Sequence, residues 1–313
     1  MGRSWNTDRV KRAKSKRNTG FDKLIVLFLL LPMLFITGME LNKLSMQRLI
    51  RKIEHQGINY DAFREMKLSE ESFDLARSRI SKLQLKHPVL EQAKEVDPIA
   101  YLTFSMLARA FDLSEDGLTD EIVFIKSLPQ ISRSPGYRRL CGYYKAVLND
   151  IEYFPIPRIE GDAKDISFVD TWSELRSYGG KRRHEGTDIM ANNNIRGFYP
   201  IISITEGVIE KKGWLEQGGY RIGIRSPSGG YFYYAHLAAY ADGLKEGDSV
   251  LAGQLLGFMG DSGYGKEGTV GQFDVHLHLG IYVETDSGEL SVNPYHVLQL
   301  LESSRPIYRG LYE

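Results

Sequence analysis

The chain has 313 residues, 42% hydrophobic and 26% charged, an ordinary composition for a globular protein with room for about two domains. Its 40 basic and 40 acidic residues cancel, so no overall charge draws it to nucleic acid, which we exclude as a partner. The single Cys141 excludes a disulfide within the chain. Because Cys141 lies in a helical pattern without a nearby histidine, we expect a small core side chain rather than a nucleophile.

The first 39 residues have the layout of an export signal. Residues 1–23 carry eight basic residues against two acidic ones, and the apolar run from Leu24 to Ile36 follows. As a helix, residues 24–39 would reach about 24 Å, short of a hydrocarbon core about 30 Å thick, although local thinning of the bilayer would let them span it. Two interpretations stay open. An uncleaved signal anchor is favoured because no A-x-A cleavage site follows, and a cleaved signal would leave the protein secreted.

The basic residues also predict the orientation of the chain. By the positive-inside rule, residues 1–23 form a cytoplasmic tail and everything after residue 40 lies outside. We therefore predict a single-pass protein of the cell membrane, in contact with the bilayer through residues 24–39 and with the bulk of the chain extracytoplasmic.

Residues 40–153 are predicted to form a helical domain. Capping patterns predict helix starts at Ser69, Asp97-Pro98 and Thr119-Asp120, and Leu140 to Leu148 is predicted to be a last helix. The third helix is expected to stop at Pro129, because proline lacks the N–H that a helix interior needs. His55 and His87 stand alone in this half, with no clustered ligands around them. The domain is therefore predicted to be a spacer or a docking unit that could hold a protein partner.

The second half is predicted to be an all-β domain. Phe154-Pro155-Ile156-Pro157 is stiff and extended, so we place the domain boundary there and assign residues 154–313 to the β domain with its C-terminal tail. Ser226 to Gly230 is a predicted turn between two strands. The predicted strands are Pro200–Glu210, Tyr220–Arg225, Tyr231–His236, Gly253–Met259 and Val275–Val283.

Four of the seven histidines fall in three short motifs of this domain. The first is His184-Glu185-Gly186-Thr187-Asp188, the second is Tyr234-Ala235-His236-Leu237, and the third is His276-Leu277-His278. His276 and His278 are two apart on a predicted strand and should therefore share one face. A catalytic zinc site uses three nitrogen or oxygen ligands and keeps a fourth position open to water. His184, Asp188 and one member of the third motif make such a set.

The order H-x-G-x-D, Y-x-H-L, H-L-H resembles that of the M23 (lysostaphin-like, LytM-type) zinc metallopeptidases. The flanks agree over roughly residues 170–300: Gly197 to Val208 resembles the first strand pair of the family, Leu251 to Gly257 its A-G-Q segment, and Asn293-Pro294 its closing N-P.

The resemblance implies a metal centre with Zn²⁺ held by His184, Asp188 and His278. It makes His236 and His276 catalytic residues that do not bind the metal. These two imidazoles can orient a water molecule and, once protonated, stabilise an oxyanion. Which of them takes the proton stays open at this point.

The chain also departs from the family pattern. Gly280 stands where the family often has a glutamate, and residues 263–274 are longer than usual, which bears on substrate preference. Tyr234 is predicted to share a face with His236, where it would line the groove or pack in the core. Asp274 is a candidate hydrogen-bond partner for a metal ligand.

Two other motifs are set aside. His184-Glu185 suggests an HExxH helix with Glu185 as the base, but Asp188 replaces the second histidine and the glycines nearby disfavour a helix. Gly260 to Glu267 nearly matches a phosphate-binding loop, but Glu267 occupies the Ser/Thr position and a strand follows. We therefore predict no nucleotide ligand and read this segment as a flexible loop near the groove.

The expected function is zinc-dependent hydrolysis of peptide bonds in bacterial peptidoglycan, in cross-bridges or stem peptides, outside the membrane. The alternative is a LytM-type module that binds the cell wall or activates another hydrolase without cutting. Modules of that kind typically lack the ligands, whereas this chain carries the whole set.

Overall fold

The described part of the computed structural model comprises residues 28, 30, 37–38, 44, 47–90, 93, 95–115, 117–177 and 180–308. The chain divides into two units, residues 1–45 and 46–313, and the second is described below. Most of the predicted membrane segment 24–39 lies outside the described residues. Within the described ranges, every helix is too short or too polar to cross a bilayer. The four-part domain division and the export signal stay predictions.

Helices occupy the first part of the described chain, and one more follows the sheet. Residues 47–56 are helical. The later helices are α1 (Tyr60–Arg64), α2 (Glu70–Lys86), α3 (Pro98–Ala108), α4 (Glu121–Ile131), α5 (Pro135–Leu148) and α6 (Pro294–Leu301).

Side-chain caps decide where these helices begin. The predicted caps are confirmed, because Ser69 and Asp97 accept hydrogen bonds from the first-turn N–H groups of α2 and α3. Two predicted bounds are wrong. Helix α4 runs past Pro129 to Ile131, because the loss of one backbone N–H near the end is tolerated and the Ser132 N–H still donates to the Leu128 carbonyl at 3.0 Å. Helix α5 begins at Pro135 instead of Leu140, because Ser134 caps it and proline suits the first helical position.

The strands form one large antiparallel sheet and two small pairs. They are β1 (Arg158–Ile159), β2 (Ile166–Phe168), β3 (Leu175–Arg176), β4 (Arg182–Arg183), β5 (Thr187–Ala191), β6 (Pro200–Ile202), β7 (Gly207–Leu215), β8 (Gly219–Arg225), β9 (Tyr231–Tyr240), β10 (Ser249–Val250), β11 (Leu255–Met259), β12 (His276–Thr285), β13 (Gly288–Val292) and β14 (Ile307–Tyr308). The main order is β10-β7-β8-β9-β12-β5-β2, with β13 beside β12 and β11 joining β6 to β9. Strands β3 and β4 pair separately, as do β1 and β14.

Most predicted strands are confirmed, and one is wrong. The predicted strand 200–210 is two strands, β6 and β7, separated by residues 203–206. There the Ser203 and Thr205 hydroxyls donate to nearby backbone carbonyls, and such local bonds compete with strand pairing. The turn at residues 226–230 is confirmed, with the Ser226 N–H 2.8 Å from the Gly230 carbonyl oxygen.

The helices and the sheet share one hydrophobic core. On β12, Leu277, Leu279 and Ile281 are fully buried, and helix α5 contacts this strand. Gly230 permits the close approach of α5, since a Cβ there would lie 2.0 Å from the Ala146 carbonyl oxygen. Side chains alternate along a strand, so the opposite face of β12, with its two histidines, is turned away from this packing.

Arg64, the last residue of α1, ties the helices to the sheet near the first histidine motif. Its Nε donates to the Ser291 carbonyl at 2.9 Å, and its Nη2 donates to the Ser291 hydroxyl at 2.7 Å. The same Nη2 lies 3.0 Å from Oε1 of Glu185. The α1 helix therefore holds the residue that follows His184.

Cys141 occupies the core of the helical part, as predicted. Its side chain is buried in α5, and burial raises the pKa of the thiol to about 11.

Only the thiolate reacts with alkylating agents, so we expect Cys141 to react with iodoacetamide at pH 8 roughly a hundredfold more slowly in the folded chain than in urea. Mass spectrometry of timed samples would measure this. Equal rates in the two states would show that the thiol is exposed.

Candidate active site

The pairing of β5 with β12 brings the first and third motifs together. The two strands are antiparallel, and Asp188 lies directly opposite His278 in their register. Residues directly opposite each other point to the same face of a sheet. His184 lies in the short connection before β5, where its backbone N–H donates to the Glu174 carbonyl at 2.8 Å. Three side chains from distant parts of the sequence therefore meet on one face.

The three side chains present their ligand atoms as a small triangle. His184 Nε2 lies 3.0 Å from His278 Nδ1 and 3.1 Å from Asp188 Oδ1, and His278 Nδ1 lies 3.0 Å from the same oxygen. Tetrahedral zinc with bonds of about 2.0–2.1 Å holds its ligand atoms about 3.3 Å apart. The triangle needs to open by only a few tenths of an ångström, so these residues fit the metal that the sequence predicts.

Hydrogen bonds behind the triangle favour the protonation states that a metal needs. His184 Nδ1 lies 3.0 Å from the Thr171 carbonyl oxygen, which can only accept. A proton on Nδ1 leaves the lone pair of Nε2 facing the triangle, and metal-binding histidines are generally oriented by such a partner. The second oxygen of Asp188 accepts a hydrogen bond from Arg176 Nη2 at 2.8 Å.

Electrostatics keep Asp188 ionised. Burial alone would raise the pKa of its carboxyl. In the metal-free chain, a proton held between Asp188 and the facing nitrogens of His184 and His278, which a metal would replace, outweighs burial and holds that pKa well below the usual range. Burial also lowers the pKa of His278, against the opposing effect of Asp188. The cluster therefore combines an anionic oxygen with a neutral imidazole.

Gly186 lies between His184 and Asp188 at a position with no room for a side chain. A Cβ at this position would lie 2.4 Å from Cε1 of His278 and 2.6 Å from the Leu279 carbonyl oxygen. Distances below 3.0 Å are not sustained by real side chains, so one of these groups would have to move. The glycine of the H-x-G-x-D motif makes room for the His278 ring.

His236 reaches the same face through a break in the β9 register. The register between β8 and β9 shifts between Tyr220 and Ile222, and His236 takes a φ of +64°, a conformation that is uncommon outside glycine. A bulge of this kind re-aims a side chain. The expectation that Tyr234 shares a face with His236 is therefore wrong. Tyr234 is fully buried in the core, and its hydroxyl accepts a hydrogen bond from the Ile204 N–H.

His236 and His276 lie side by side next to the triangle. Their ring centroids are 4.7 Å apart, and His276 Nε2 lies 3.8 Å from Asp188 Oδ1. His236 Nδ1 is 2.8 Å from the Ser262 carbonyl oxygen, and His276 Nδ1 is 2.7 Å from the Asp274 carbonyl oxygen. With those nitrogens donating, both Nε2 atoms remain available. Burial lowers the pKa of His236 well below its usual value, and the charges of His276 and His278 add to this.

A groove of about 920 Å³ opens over these residues. Four aromatic rings line it: Tyr233 lies next to His278 and contacts Tyr282, while Tyr264 and Phe273 lie next to His236. Gly280 lies opposite Tyr233, and a Cβ there would lie 2.7 Å from the Tyr282 ring. In this chain, a tyrosine ring therefore covers the position where peptidases of the M23 type often have a glutamate.

Comparison with known proteins identifies the domain. Residues 182–294 match the model of peptidase family M23. A crystal structure from Ruminococcus gnavus, assigned as a glycyl-glycine endopeptidase LytM, is 42% identical with a TM-score of 0.68, and the match covers 83% of this chain and 98% of that chain. The chain belongs to peptidase family M23.

Two curated M23 relatives are similar over shorter stretches. The L-Ala–D-Glu endopeptidase of Bacillus subtilis is 44% identical over 149 residues, which are 48% of this chain and 43% of that protein. Lysostaphin of Staphylococcus simulans is 31% identical over 118 residues, which are 37% of this chain and 21% of that protein. The chain thus spans less than half the length of these curated relatives.

The structure brings together all five residues that the sequence singled out in the M23 domain. Glu185, set aside as a base, is half-exposed, lies outside any helix and pairs with Arg64. Asp274 contacts His276 only through its backbone carbonyl, while its carboxylate accepts from Asn194 Nδ2 at 3.0 Å.

Sequence reasoning missed Arg176, which touches the ligand cluster. Nη2 of Arg176 lies 3.0 Å from His184 Nδ1 as well as 2.8 Å from Asp188 Oδ2. Arg176 is on β3, eight residues before His184 and outside each motif, and no pattern around it marks it. Only the β3–β4 hairpin, which folds back over the first motif, reveals the contact.

The steric role of Gly186 gives a test of the triangle. We expect Gly186→Ala to weaken zinc binding by about tenfold or more, because the new Cβ displaces His278. Titration of the metal-free chain with zinc in the presence of a competing chelator would measure the change.

Gly142→Ala is the matched control. Gly142 is exposed on α5, with nothing within 4 Å of the added Cβ, so this variant should bind zinc normally and gain stability as alanine favours a helix. Normal zinc binding by Gly186→Ala would show that His278 is not held where the metal needs it.

Proposed function

We propose that the chain is a zinc-dependent endopeptidase that cleaves peptide bonds of bacterial peptidoglycan. One observation carries the proposal. Three lone-pair atoms of His184, Asp188 and His278 lie 3.0–3.1 Å apart at the floor of an open groove, with two further imidazoles alongside. A non-hydrolytic module has no use for this complete set.

The metal and the protein would divide the chemistry between them. Zinc bound by the three ligands lowers the pKa of a water molecule to about 7 and polarises a carbonyl. His236 and His276 each keep one nitrogen free, because the other donates to a backbone carbonyl. Either nitrogen can accept a proton from the attacking water and then donate a hydrogen bond to the developing oxyanion. Arg176 fixes the orientation of the Asp188 carboxylate through its second oxygen.

The substrate class follows from the relatives. One curated relative is named for an L-Ala–D-Glu bond, and others are glycyl-glycine endopeptidases or lysostaphin. Both kinds of bond belong to peptidoglycan peptides, the first to stem peptides and the second to cross-bridges. Membership of M23 and the close approach of His184, Asp188 and His278 in this chain support extending this class to it.

Two substitutions separate metal binding from catalysis. In the full chain purified with detergent, we expect His278→Ala to lose bound zinc and hydrolysis of cell-wall sacculi together. His236→Ala should keep zinc but lower hydrolysis by about a hundredfold or more, because it removes a proton acceptor and no ligand. Elemental analysis and the release of soluble muropeptides would measure the two quantities.

The alternative role remains distinguishable in the same experiment. Zinc-loaded protein that binds sacculi or stimulates a second hydrolase while releasing no peptide fragments of its own would favour the non-hydrolytic module. Zinc that stays bound in His278→Ala would refute the metal site itself.

The proposed location is outside the cytoplasmic membrane, with residues 24–39 as a signal anchor and the helical region as a spacer or docking unit. The basic flank and the apolar run of the sequence support this. Alkaline phosphatase fused after residue 45 should be active in cells, because the enzyme matures only outside the cytoplasm, and N-terminal sequencing should find residues 1–23 retained. Inactive phosphatase would contradict export, whereas a missing N-terminus would indicate a cleaved signal.

A further inference from the structure

Most acidic side chains of the groove pair with a basic residue, whereas some of its basic side chains have no acidic partner among the described residues. Asp188 is paired with Arg176, and Glu185 is paired with Arg64, in both cases within 3.0 Å. A third acid, Glu210, is paired with Arg225 at 3.1 Å. Burial raises the pKa of the remaining acid, Glu289, and the charge of Arg225 opposes that rise. Three of the four groove acids therefore have cations of their own, whereas Glu289 forms no ion pair with the described residues.

In the described part of the chain, two arginines of the groove lack an acidic partner and also have a buried N–H without an acceptor. Arg182 on β4 and Arg221 on β8 both line the groove and are half-buried, yet neither forms an ion pair with any residue that the structure describes. Arg182 Nε and Arg221 Nη1 are fully buried and lack a hydrogen-bond acceptor among the described residues. A buried N–H of a charged group without an acceptor is costly, and an anion would relieve that cost.

Tyr233 connects these arginines to the metal triangle. Arg221 lies on the same face of β8 as Gly223, which pairs with Tyr233, and Arg182 lines the same groove. The charges of both arginines oppose the rise that burial gives to the pKa of the Tyr233 hydroxyl. The Tyr233 ring lies 6.1 Å from the His278 ring. Tyr233 is therefore a direct neighbour of His278, and a group bound beside Tyr233 would lie next to the triangle.

We propose that Arg182 and Arg221 form an anion subsite beside Tyr233 that binds a free carboxylate next to the scissile bond. The inference rests on the proposed endopeptidase function and narrows its substrate class to stem peptides with an ionised glutamate α-carboxylate. Arginine suits this role because its planar group donates two parallel hydrogen bonds to a carboxylate. Oligoglycine cross-bridges offer no carboxylate at this position.

A pair of peptides that differ in one group tests the subsite. L-Ala-γ-D-Glu-L-Lys carries the carboxylate, and L-Ala-γ-D-isoglutaminyl-L-Lys carries a carboxamide in its place. With the zinc-loaded full chain, we expect kcat/KM to be about tenfold or more higher for the carboxylate peptide. Arg182→Gln and Arg221→Gln should each reduce this ratio to about threefold or less, with most of the loss on the carboxylate peptide and with zinc content unchanged.

Lys181→Gln is the matched control. Lys181 precedes Arg182 on the same hairpin, but it is exposed and does not line the groove, so removing its charge should leave the ratio intact. A control that lowers the ratio as much as Arg182→Gln would assign the preference to overall charge and overturn the subsite.

The remaining outcomes separate this inference from the proposed function. Equal kcat/KM for the two peptides in the unsubstituted chain, or arginine variants that slow both peptides alike, would overturn the subsite and leave the endopeptidase standing. Cleavage of oligoglycine but of neither stem peptide would do the same. A zinc-loaded chain that cuts none of these substrates or sacculi would refute the endopeptidase, and the subsite with it.

Discussion

The antiparallel register between β5 and β12 is the constraint on which the site depends. It sets Asp188 opposite His278, although the two are 90 residues apart in sequence. A slip of one residue would turn every side chain of the strand to the other face. The core prevents this slip, because Ile189, Leu277 and Leu279 are fully buried and would be pushed into the groove. Hydrophobic burial on one face thus fixes polar geometry on the other.

Backbone carbonyls orient most of the imidazoles. His184, His236 and His276 each place Nδ1 within hydrogen-bond distance of a carbonyl oxygen, from Thr171, Ser262 and Asp274 respectively. A carbonyl cannot change its protonation state, so each ring keeps one tautomer and one orientation. His278 differs, since it turns Nδ1 towards Asp188 and its opposite edge packs on Gly186.

The helices are built into the same unit as the peptidase domain. They share its hydrophobic core, and Arg64 reaches the residue next to His184. The match to the Ruminococcus gnavus structure covers 83% of the chain, which is more than the β strands can account for, so part of the helical region recurs there too. A mechanical link between the helices and the first ligand motif is therefore part of the fold.

The sequence alone determined which polar groups the site contains. Short motifs singled out His184, Asp188, His236, His276 and His278, because such motifs can be read directly from local order, and the resemblance to M23 gave these residues their expected roles. Cap residues likewise gave the helix starts at Ser69 and Asp97, since a cap acts on its own first turn.

The tertiary structure decided what depends on distant neighbours. The bulge that re-aims His236 and buries Tyr234 arises from pairing with β8, and simple alternation along β9 predicts the opposite. Arg176 joins the ligands only because a hairpin folds over them. The sequence also does not show that Arg182 and Arg221 lack an acidic partner among the described residues, because this depends on which side chains surround them in the fold. Local signals fix which groups are present, and long-range packing fixes where they point.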